Sequence, residues 1–480
     1  MLAERRFSER IKGSIVLHPL FITAIVLFVC VLAAVCVLVA SFFLSSSRSG
    51  AQMATQMATK PNIVFVITDD QHIHHLTHMP YLSSKPHGNW IEFTNTFENV
   101  PFCCPTRATI LTGQYSHHHG IKGNSGKAFR DTSTIATWLK SAGYRTGLIG
   151  KYLNGYPWPN RPANYIPPGW DYWVGSVKQP GIGYYDYQLN ENGKIVSYGS
   201  APEDYATDVL HRRAMNFLNT TPTDKPFFLY LSPPAPHAES VPAPRHKGAY
   251  STLPIFYGPN FNESDVSDKP AWVRALPIRS KSTMDTKQRL AAETLLAVDE
   301  SIKGILDKLI ERGQLDNTVF IFMTDNGFSF GAHRWVQKLC VYDECVRTPL
   351  LIRYPGIGEN RTETRLVSSV DIAPTLAGLS QVSPTHNVDG RSLAPLLSGT
   401  TTSWRSSLLL EYQGPVSPGA SPTYWAVRTP KWKYVELETG EKELYDMVND
   451  PYEQVNVVNR SDLSSVRSSL SEELQRLKAE

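Results

Sequence analysis

Two stretches of the sequence, far apart along the chain, share one pattern of apolar and polar positions. In "PNIVFVITDDQ" the apolar, mostly β-branched run 63–67 precedes a threonine and two carboxylates, and in "NTVFIFMTDNG" the run 319–323 precedes Thr-Asp-Asn-Gly. A short, unbroken apolar run of this kind is typical of a strand buried on both faces, as in a parallel sheet covered by helices. We therefore predict that both stretches are central strands of such a sheet.

The pattern between and after these runs alternates between strands and helices. "TIATWLKSAGYRTGLIGKY" predicts a helix that ends near Gly143 and a short strand that ends at Gly150. "PFFLYLSPPAPH" predicts a strand over 227–231 that runs into a proline-rich loop, and "RTPLLIRYPG" predicts another buried strand. Helical spacing of apolar residues in "KQRLAAETLLAVDESIKGILDKLIERG" predicts a long helix. This alternation places residues 61–395 in one α/β domain, with a central, mostly parallel sheet between helices.

The last part of the chain has a different pattern. Within residues 396–480, "YWAVRTPKWKYVELETGEKELYDM" alternates short strands with a Thr-Gly turn, which predicts a small antiparallel sheet. "SDLSSVRSSLSEELQRL" then predicts a helix capped by Ser461. We expect these residues to form a small C-terminal α+β subdomain.

The N-terminal part of the chain is unlike the rest. Residues 13–47 contain no Lys, Arg, Asp or Glu, and the apolar run 20–44 is long enough to cross the roughly 30 Å hydrocarbon core of a bilayer. Because four basic residues precede this run, the positive-inside rule places residues 1–12 in the cytosol. We predict a transmembrane signal anchor over 13–47, a linker over 48–60, and a lumenal, extracellular or periplasmic remainder. The alternative, a cleaved signal peptide, would leave a secreted or lysosomal protein.

Composition and charge indicate a globular protein and argue against nucleic-acid binding, but they do not identify the function. With 41% apolar and 19% charged residues the chain is ordinary globular material, and a formal net charge of +3 gives no basic field that would suggest nucleic acid. Cys340 and Cys345 are close enough in sequence for a disulfide in an oxidising compartment, although spacing alone does not establish one. Asn-x-Ser/Thr sites would accept glycans, if the host glycosylates, at four positions: Asn219, Asn262, Asn360 and Asn459.

The polar residues that follow the two matched strands are candidate metal ligands. The carboxyl ends of parallel strands lie at one edge of a sheet, where ligands collect. We therefore expect Asp69 and Asp70 to meet Asp325 and Asn326 in space. Carboxylate and amide oxygens suit a hard cation such as calcium or magnesium, whereas zinc normally takes histidine or cysteine. The repeated pattern favours this interpretation over the simpler one, in which aspartates at strand ends are caps and loop formers.

Two adjacent cysteines lie in "NVPFCCPTRATILTG". Pro105 suits the first turn of a helix, so Cys103 should lie at a helix N-terminus, where backbone N–H groups favour an anion. Arg107, one turn further, adds a fork of donors suited to a tetrahedral oxyanion. The residues alone leave two roles open for Cys103: a nucleophile of low pKa, or half of a disulfide.

"CCPTRATILTG" resembles the signature of the sulfatases. The resemblance continues, in order and over nearly all of residues 61–460, through "GYRTGLIGKYLNGY", "PAPH", "TDNG", "KLCVYDECVRTPLL" and "ELYDMVNDPYEQVN". The signature departs from the family at Thr106, where serine is usual. The resemblance implies an alkaline-phosphatase-like fold and the hydrolysis of sulfate esters. Several motifs are most similar to those of the 6-O-sulfatases that act on N-acetylglucosamine-6-sulfate in glycosaminoglycans.

In the sulfatase family the first cysteine of the signature is converted before folding to formylglycine (3-oxoalanine) by a formylglycine-generating enzyme. Carried over by position, the resemblance implies that the modified Cys103 joins the four polar residues after the matched strands in binding one calcium ion, or magnesium. His237 matches the family's histidine near the leaving oxygen, a general acid, and His333 either lines the substrate pocket or only buttresses it. The implied substrate is a sulfated carbohydrate or an aryl sulfate. Positive charge around the sulfate and diol comes from three residues: Arg107, Lys151 and Lys338.

Three alternatives stay open. A sulfatase of broad specificity towards aryl sulfates would use the same residues. Phosphodiesterases and phosphonate hydrolases of the alkaline phosphatase superfamily share the architecture. However, they usually use Thr or Ser as nucleophile and bind two transition metals through several histidines, which this sequence does not supply at the matching places. A catalytically inactive protein that binds sulfated glycans is expected only in a host without the modifying enzyme.

Overall fold

Apolar runs of the sequence become strands in the computed structural model, which describes residues 60–177, 183–413 and 421–480. The strands are β1 (Asn62–Thr68), β2 (Trp90–Phe93), β3 (Thr96–Phe97), β4 (Arg145–Gly150), β5 (Tyr172–Val177), β6 (Gln188–Glu191), β7 (Lys194–Ser197), β8 (Phe227–Ser232), β9 (Thr318–Thr324), β10 (Ser329–Phe330), β11 (Val336–Gln337), β12 (Leu350–Arg353), β13 (Arg361–Glu363), β14 (Val367–Ser368), β15 (Leu408–Tyr412), β16 (Tyr424–Arg428), β17 (Trp432–Leu437) and β18 (Lys442–Asp446). The helices are α1 (Pro80–Ser83), α2 (Cys103–Thr112), α3 (Ser116–His119), α4 (Ile135–Ser141), α5 (Ala206–Thr220), α6 (Ala271–Arg274), α7 (Lys281–Glu311), α8 (Asp343–Val346), α9 (Ile372–Leu379), α10 (Ala394–Leu397) and α11 (Ser464–Ala479).

β1 lies near the middle of a ten-stranded sheet of order β13-β2-β12-β9-β1-β8-β4-β5-β6-β7. The strands from β9 to β5 in this order run parallel to one another. Antiparallel pairs occur towards the two edges, where β12 lies between β9 and β2 and where β6 pairs with β5 and β7. The predicted α/β class, with a mostly parallel centre, is confirmed.

Alternate residues of β1 enter different cores on the two faces of the sheet. Ile63, Phe65 and Ile67 pack in a cluster that includes residues of α2, α4 and α9. Val64 and Val66 pack in a second cluster, with residues of α5 and α7. Successive side chains of a strand point to opposite faces, so an unbroken apolar run is the pattern expected of a strand covered on both sides.

The long helix α7 begins earlier than its apolar spacing predicts. It starts at Lys281, after Ser280, whose side chain accepts a hydrogen bond from the N–H of Thr283. The first turn is exposed apart from Met284. A solvated turn carries no apolar periodicity, so the helical spacing in the sequence becomes visible only from about Leu290, after the helix has begun.

The C-terminal residues form the predicted antiparallel sheet, of order β15-β16-β17-β18. α11 covers one face through Leu470, Leu474 and Leu477. The predicted cap at Ser461 is wrong: a 3₁₀ turn begins there, and α11 starts after Leu463 without a side-chain cap. Serine at the start of a 3₁₀ turn and serine at a helix cap give the same local sequence signal.

Residues 60–480 form one compact unit. Across the three described ranges, no helix is both long enough and apolar enough to cross a membrane. The predicted anchor over 13–47 lies outside the described residues and stays a prediction. The boundary proposed between residues 395 and 396 also stays a prediction.

Candidate active site

The carboxyl ends of β1 and β9 bring together the acidic residues that follow them. Thr68 pairs with Thr324 at the ends of these neighbouring parallel strands, so the next residues of both strands enter the same space. The N–H of Asp70 donates to Oδ1 of Asp325 (3.2 Å), and Nδ2 of Asn326 donates to Oδ1 of Asp70 (2.7 Å). The expected meeting of the two strand ends is therefore present, across 255 positions of the sequence.

Cys103 faces this acidic edge from the first position of α2. The helix begins there because Phe102 is extended and Pro105 lies within the first turn. Sγ of Cys103 is 3.6 Å from Oδ1 of Asp69 and 3.8 Å from Oδ1 of Asp70. In the described part of the chain one buried group of side chains has ligand atoms close enough, within 4.8 Å of one another, to share a metal ion: Asp69, Asp70, Cys103 and Asp325.

Two lysines reach the cluster from different loops. Nζ of Lys151, directly after β4, is 2.5 Å from Oδ2 of Asp69. Nζ of Lys338 is 2.7 Å from Oδ1 of Asp70 and 2.8 Å from Sγ of Cys103. Lys151 is buried and Lys338 nearly so. Both ammonium groups therefore lie where an anion bound beside position 103 would meet them.

Arg107 completes the set of cations and is fully buried. Its Nε donates to Oδ2 of Asp325 (2.7 Å), and its Nη1 donates to Oγ of Ser232 (2.6 Å) and to the backbone oxygen of Lys151 (3.3 Å). Ser232, the last residue of β8, was not among the sequence candidates, although a hydroxyl at the carboxyl end of a buried strand was a signal for it. Three cations thus balance three carboxylates, so a divalent ion would make the site positive and attractive to an anionic substrate.

These charges shift one another's pKa values. Burial raises the pKa of Asp69, but nearby cations, Lys151 above all, outweigh burial and hold this pKa well below its usual range. Burial lowers the pKa of Lys338, but the Asp70 carboxylate outweighs burial and raises it well above its usual range. Burial, followed by the charge of Asp69, raises the pKa of Asp325. The crowding of Asp325 by like charge is what a bound cation would relieve.

Two buried polar atoms of the cluster have no hydrogen-bond partner among the described residues: Oδ1 of Asn326 and Nη2 of Arg107. Buried polar atoms normally have partners, so each of these two is a candidate contact for a bound ion or substrate. An amide oxygen beside three carboxylates fits calcium or magnesium, whose ligands are oxygens. A guanidinium N–H fits an oxyanion. The residues present therefore fit one hard divalent cation and one anion.

Cys103, as an unmodified thiol, does not suit a site for a hard cation. Burial raises the pKa of the Cys103 thiol, so the group is neutral at physiological pH. A neutral thiol is a weak nucleophile and a poor ligand for a hard cation. An oxygen-bearing side chain at position 103 would match the other donors.

His237 lies at the open side of the cluster, on the loop after β8. Its Nε2 is 3.6 Å from Oδ2 of Asp70, and its side chain is 34% exposed. Its Nδ1 is 2.5 Å from the backbone oxygen of Ala238, so Nδ1 carries a proton. Nε2 is then the ring nitrogen directed at the cluster.

His333 does not reach the cluster. Its Nδ1 is 2.7 Å from Oε2 of Glu263, its Nε2 is 3.2 Å from Nδ2 of Asn260, and its ring lies 4.1 Å from that of Tyr342. The side chain is fully buried. Of the two expected roles, these contacts match that of a buttress for the loop after β9.

A disulfide joins Cys340 and Cys345, with their Cα atoms 5.5 Å apart, so the pairing that the spacing allowed is present. It closes the turn directly after Lys338 and so limits the freedom of the segment that carries this lysine. Of the glycosylation candidates, Asn262 is partly buried and its amide bonds the backbone of Arg279 through both Oδ1 and Nδ2 (2.8 Å each). The exposed candidates are Asn219, Asn360 and Asn459.

Comparisons with known proteins agree with this geometry. The sulfatase family model matches residues 61–382, and the model for the C-terminal region of N-sulphoglucosamine sulphohydrolase matches residues 331–480. An N-acetylglucosamine-6-sulfatase of Capra hircus is 31% identical over 86% of this chain and 82% of that protein. An extracellular sulfatase SULF-1 homolog of Drosophila melanogaster is 32% identical over 77% of this chain, which spans 34% of that longer protein.

Among solved structures, a protein in complex with its substrate D-glucosamine-2-N,6-O-disulfate aligns with a TM-score of 0.78 and 27% identity. The alignment covers 88% of this chain and 98% of that one. The architecture is therefore the alkaline-phosphatase-like fold of the sulfatases. Because a family model spans most of its length and relatives exceed 30% identity, the chain belongs to the sulfatase family and is a sulfuric ester hydrolase.

Proposed function

We propose that this sulfatase releases sulfate from a carbohydrate of the N-acetylglucosamine-6-sulfate type, using a formylglycine formed from Cys103 and activated by calcium. The observation that carries the proposal is the buried cluster in which three carboxylates and three cations surround Cys103. The similarity to N-acetylglucosamine-6-sulfatase supports the choice of sugar. Formation of the aldehyde needs a formylglycine-generating enzyme in the host.

The proposed reaction uses the hydrated aldehyde at position 103, which carries two hydroxyl groups. One hydroxyl attacks the sulfur of the ester, and the bond from sulfur to the sugar oxygen breaks as that oxygen takes up a proton. The second hydroxyl then loses its proton, the carbonyl re-forms, and sulfate leaves. Water hydrates the aldehyde again, so one turnover consumes one water and no oxidant or reductant.

Different side chains bind the sulfate, hold the hydroxyl group and donate the proton. Nη2 of Arg107, without a partner among the described residues, donates to a sulfate oxygen. Lys151, whose Nζ is 3.8 Å from Oδ2 of Asp325, adds a second positive charge for the sulfate. Lys338, whose Nζ is 2.8 Å from Sγ of Cys103, holds a hydroxyl group formed at that position. His237 donates the proton to the leaving sugar oxygen through Nε2.

The ion would be held by oxygen atoms of the residues after β1 and β9, with an oxygen at position 103 as a further ligand. When bound, a calcium ion lowers the pKa of a hydroxyl that it contacts and stabilises negative charge on the sulfate. The protein ligands are Asp69, Asp70, Asp325 and Asn326.

Peptide mass spectrometry and turnover of Cys103→Ser test the chemistry together. In active protein from its natural host, the Cys103 peptide should have sulfur replaced by oxygen with two fewer hydrogens. Cys103→Ser should fold but release no sulfate catalytically, because serine lacks the second hydroxyl that expels sulfate. Treatment with EDTA should abolish activity of the natural protein, and added calcium should restore it.

Cys104→Ser is the matched control, since Cys104 is the neighbouring buried thiol with no place in the mechanism; its activity should be retained. An unmodified thiol at position 103 in fully active protein, or repeated turnover by Cys103→Ser, would refute the formylglycine mechanism. A correctly modified protein that releases no sulfate from N-acetylglucosamine-6-sulfate would refute the proposed substrate.

We also propose that residues 13–47 anchor the enzyme in a membrane, with the catalytic residues on the non-cytosolic side. The uncharged length of this segment and the basic residues before it support this topology. The full chain should stay with membranes washed in alkaline carbonate, whereas a chain beginning at Lys60 should not. Release of the full chain by that wash would favour the cleaved signal peptide.

A further inference from the structure

A cavity of 270 Å³ opens directly beside the proposed reaction centre. Asp70 lines it, as do Pro236 and Ala238, which flank His237. The proposed general acid must touch the oxygen that leaves with the sugar. On the proposed function, the sugar lies in this cavity.

The walls of the cavity are mostly apolar. Phe328 and Phe330, with ring centroids 4.8 Å apart, line one side, and Leu290 of α7 lines another. Flat aromatic and aliphatic surfaces with a few polar groups at the edge are the usual lining of a small-molecule site. The groups that discriminate between sugars should then be the polar ones at the rim.

Lys287 is the cation at this rim. It lies one turn before Leu290, and residues three apart share a helix face, so both side chains line the cavity. Lys287 is exposed, and no carboxylate among the described residues lies within 4.0 Å of its Nζ. By contrast, Lys281 and Lys303 of the same helix pair with aspartates four residues on. An unpaired ammonium group facing a binding cavity is available to a ligand.

Glu239 supplies the opposite charge, on the loop that carries His237. It also lines the cavity and is exposed. A carboxylate repels anions and accepts hydrogen bonds from hydroxyl or amide groups. The two charges therefore orient a bound sugar. Its neutral hydrogen-bond donors face Glu239, and an anionic substituent faces Lys287 on α7.

We propose that Lys287 determines specificity by binding a second anionic group of the glycan, a sulfate or carboxylate other than the sulfate that is hydrolysed. The assignment rests on the proposed function, because it places the leaving sugar in the cavity beside His237. The reaction centre already uses Arg107 and Lys151 on the first sulfate and Lys338 on the hydroxyl group at position 103. A second anion outside that centre needs its own cation, and Lys287 is the one at the rim.

The test compares kcat/KM for three sugars in the modified enzyme. N-acetylglucosamine-6-sulfate has no second anion, glucosamine-2-N,6-O-disulfate has one on the same ring, and a disaccharide joining N-acetylglucosamine-6-sulfate to a uronate has one on the next ring. Lys287→Gln should lower the preference for a dianionic sugar over the monoanionic one about tenfold, mainly through KM, because one charge-assisted contact is lost. Lys287→Glu should lower the preference further, and Lys287→Arg should keep it.

Lys303→Gln is the control, since it changes the same residue type on the same helix outside the cavity. Thermal melting should show that both variants fold, because glutamine is a good helix former at an exposed position. A loss confined to the N-sulfated sugar or to the uronate identifies the source of the anion. If neither preference changes by more than about twofold while sulfate release continues, the assignment is wrong. Absence of release from all three sugars by the natural protein would overturn the proposed function and this assignment with it.

Discussion

Glu98 is a carboxyl group enclosed in the protein interior. It is fully buried, and its Oε1 accepts a hydrogen bond from Oγ1 of Thr348 (2.9 Å). Burial raises the pKa of Glu98 to about 8. The group is therefore protonated and neutral in the folded protein at neutral pH, unlike the ionised Asp69.

We predict that Glu98 makes the protein less stable as the pH rises. The unfolded carboxyl loses its proton near pH 4.5, whereas the folded one keeps it until about pH 8. Between these values the unfolded state binds fewer protons, so the free energy of unfolding falls with rising pH. Glu98→Gln removes this titration, and its stability relative to the natural protein should rise by as much as about 1.4 kcal/mol per pH unit.

Urea unfolding at pH 5 and pH 8 measures this difference. Glu311→Gln, at a side chain that is 68% exposed, serves as control and should show no such trend. A stability difference between Glu98→Gln and the natural protein that is the same at both pH values would contradict the burial argument.

At the scale of elements, burial explains which predictions succeeded. β1 and β9 were predicted correctly because a strand covered on both faces leaves an unbroken apolar run in the sequence. That run also located the acidic residues after each strand. The start of α7 and the turn at Ser461 were missed because their positions are solvated, and solvated residues carry little periodic signal.

Contacts between secondary-structure elements could not be predicted from the local sequence pattern. Gly150 ends β4 with φ of +113°, and a Cβ there would lie 2.0 Å from the backbone oxygen of Ser232. This close approach of β4 and β8 brings Lys151 and Ser232 to the same side of Arg107. The sequence showed a Gly-Lys pair and a serine, but the packing of one strand end on another decides their roles.

At the scale of the whole molecule, buried charges tie the C-terminal sheet to the catalytic region. Nζ of Lys433, on β17, is 2.6 Å from Oδ1 of Asp343 and 2.6 Å from Oε1 of Glu453. Asp343 begins α8, in the segment that follows Lys338. The C-terminal sheet therefore supports the segment that carries Lys338 into the candidate active site.

We predict that Lys433→Met destabilises the protein by about 3–5 kcal/mol, because it removes the ammonium group that lies 2.6 Å from the buried Glu453 and from the largely buried Asp343. Lys442→Met, in the neighbouring strand, removes a pair with Glu436 from a side chain that is 46% exposed. That control should cost at most about 0.5 kcal/mol. Thermal unfolding measures both changes, and equal effects of the two substitutions would contradict the structural role of Lys433.

The complete enclosure of Cys103, with no exposed surface in the folded chain, has a consequence for how active enzyme is made. Another protein can bind the "CCPTR" segment only before the chain has folded. If position 103 must be converted to formylglycine, as we propose, a molecule that folds before this conversion no longer exposes the thiol to the modifying enzyme and stays inactive. The yield of active enzyme in a cell would then depend on how long this segment stays accessible after synthesis.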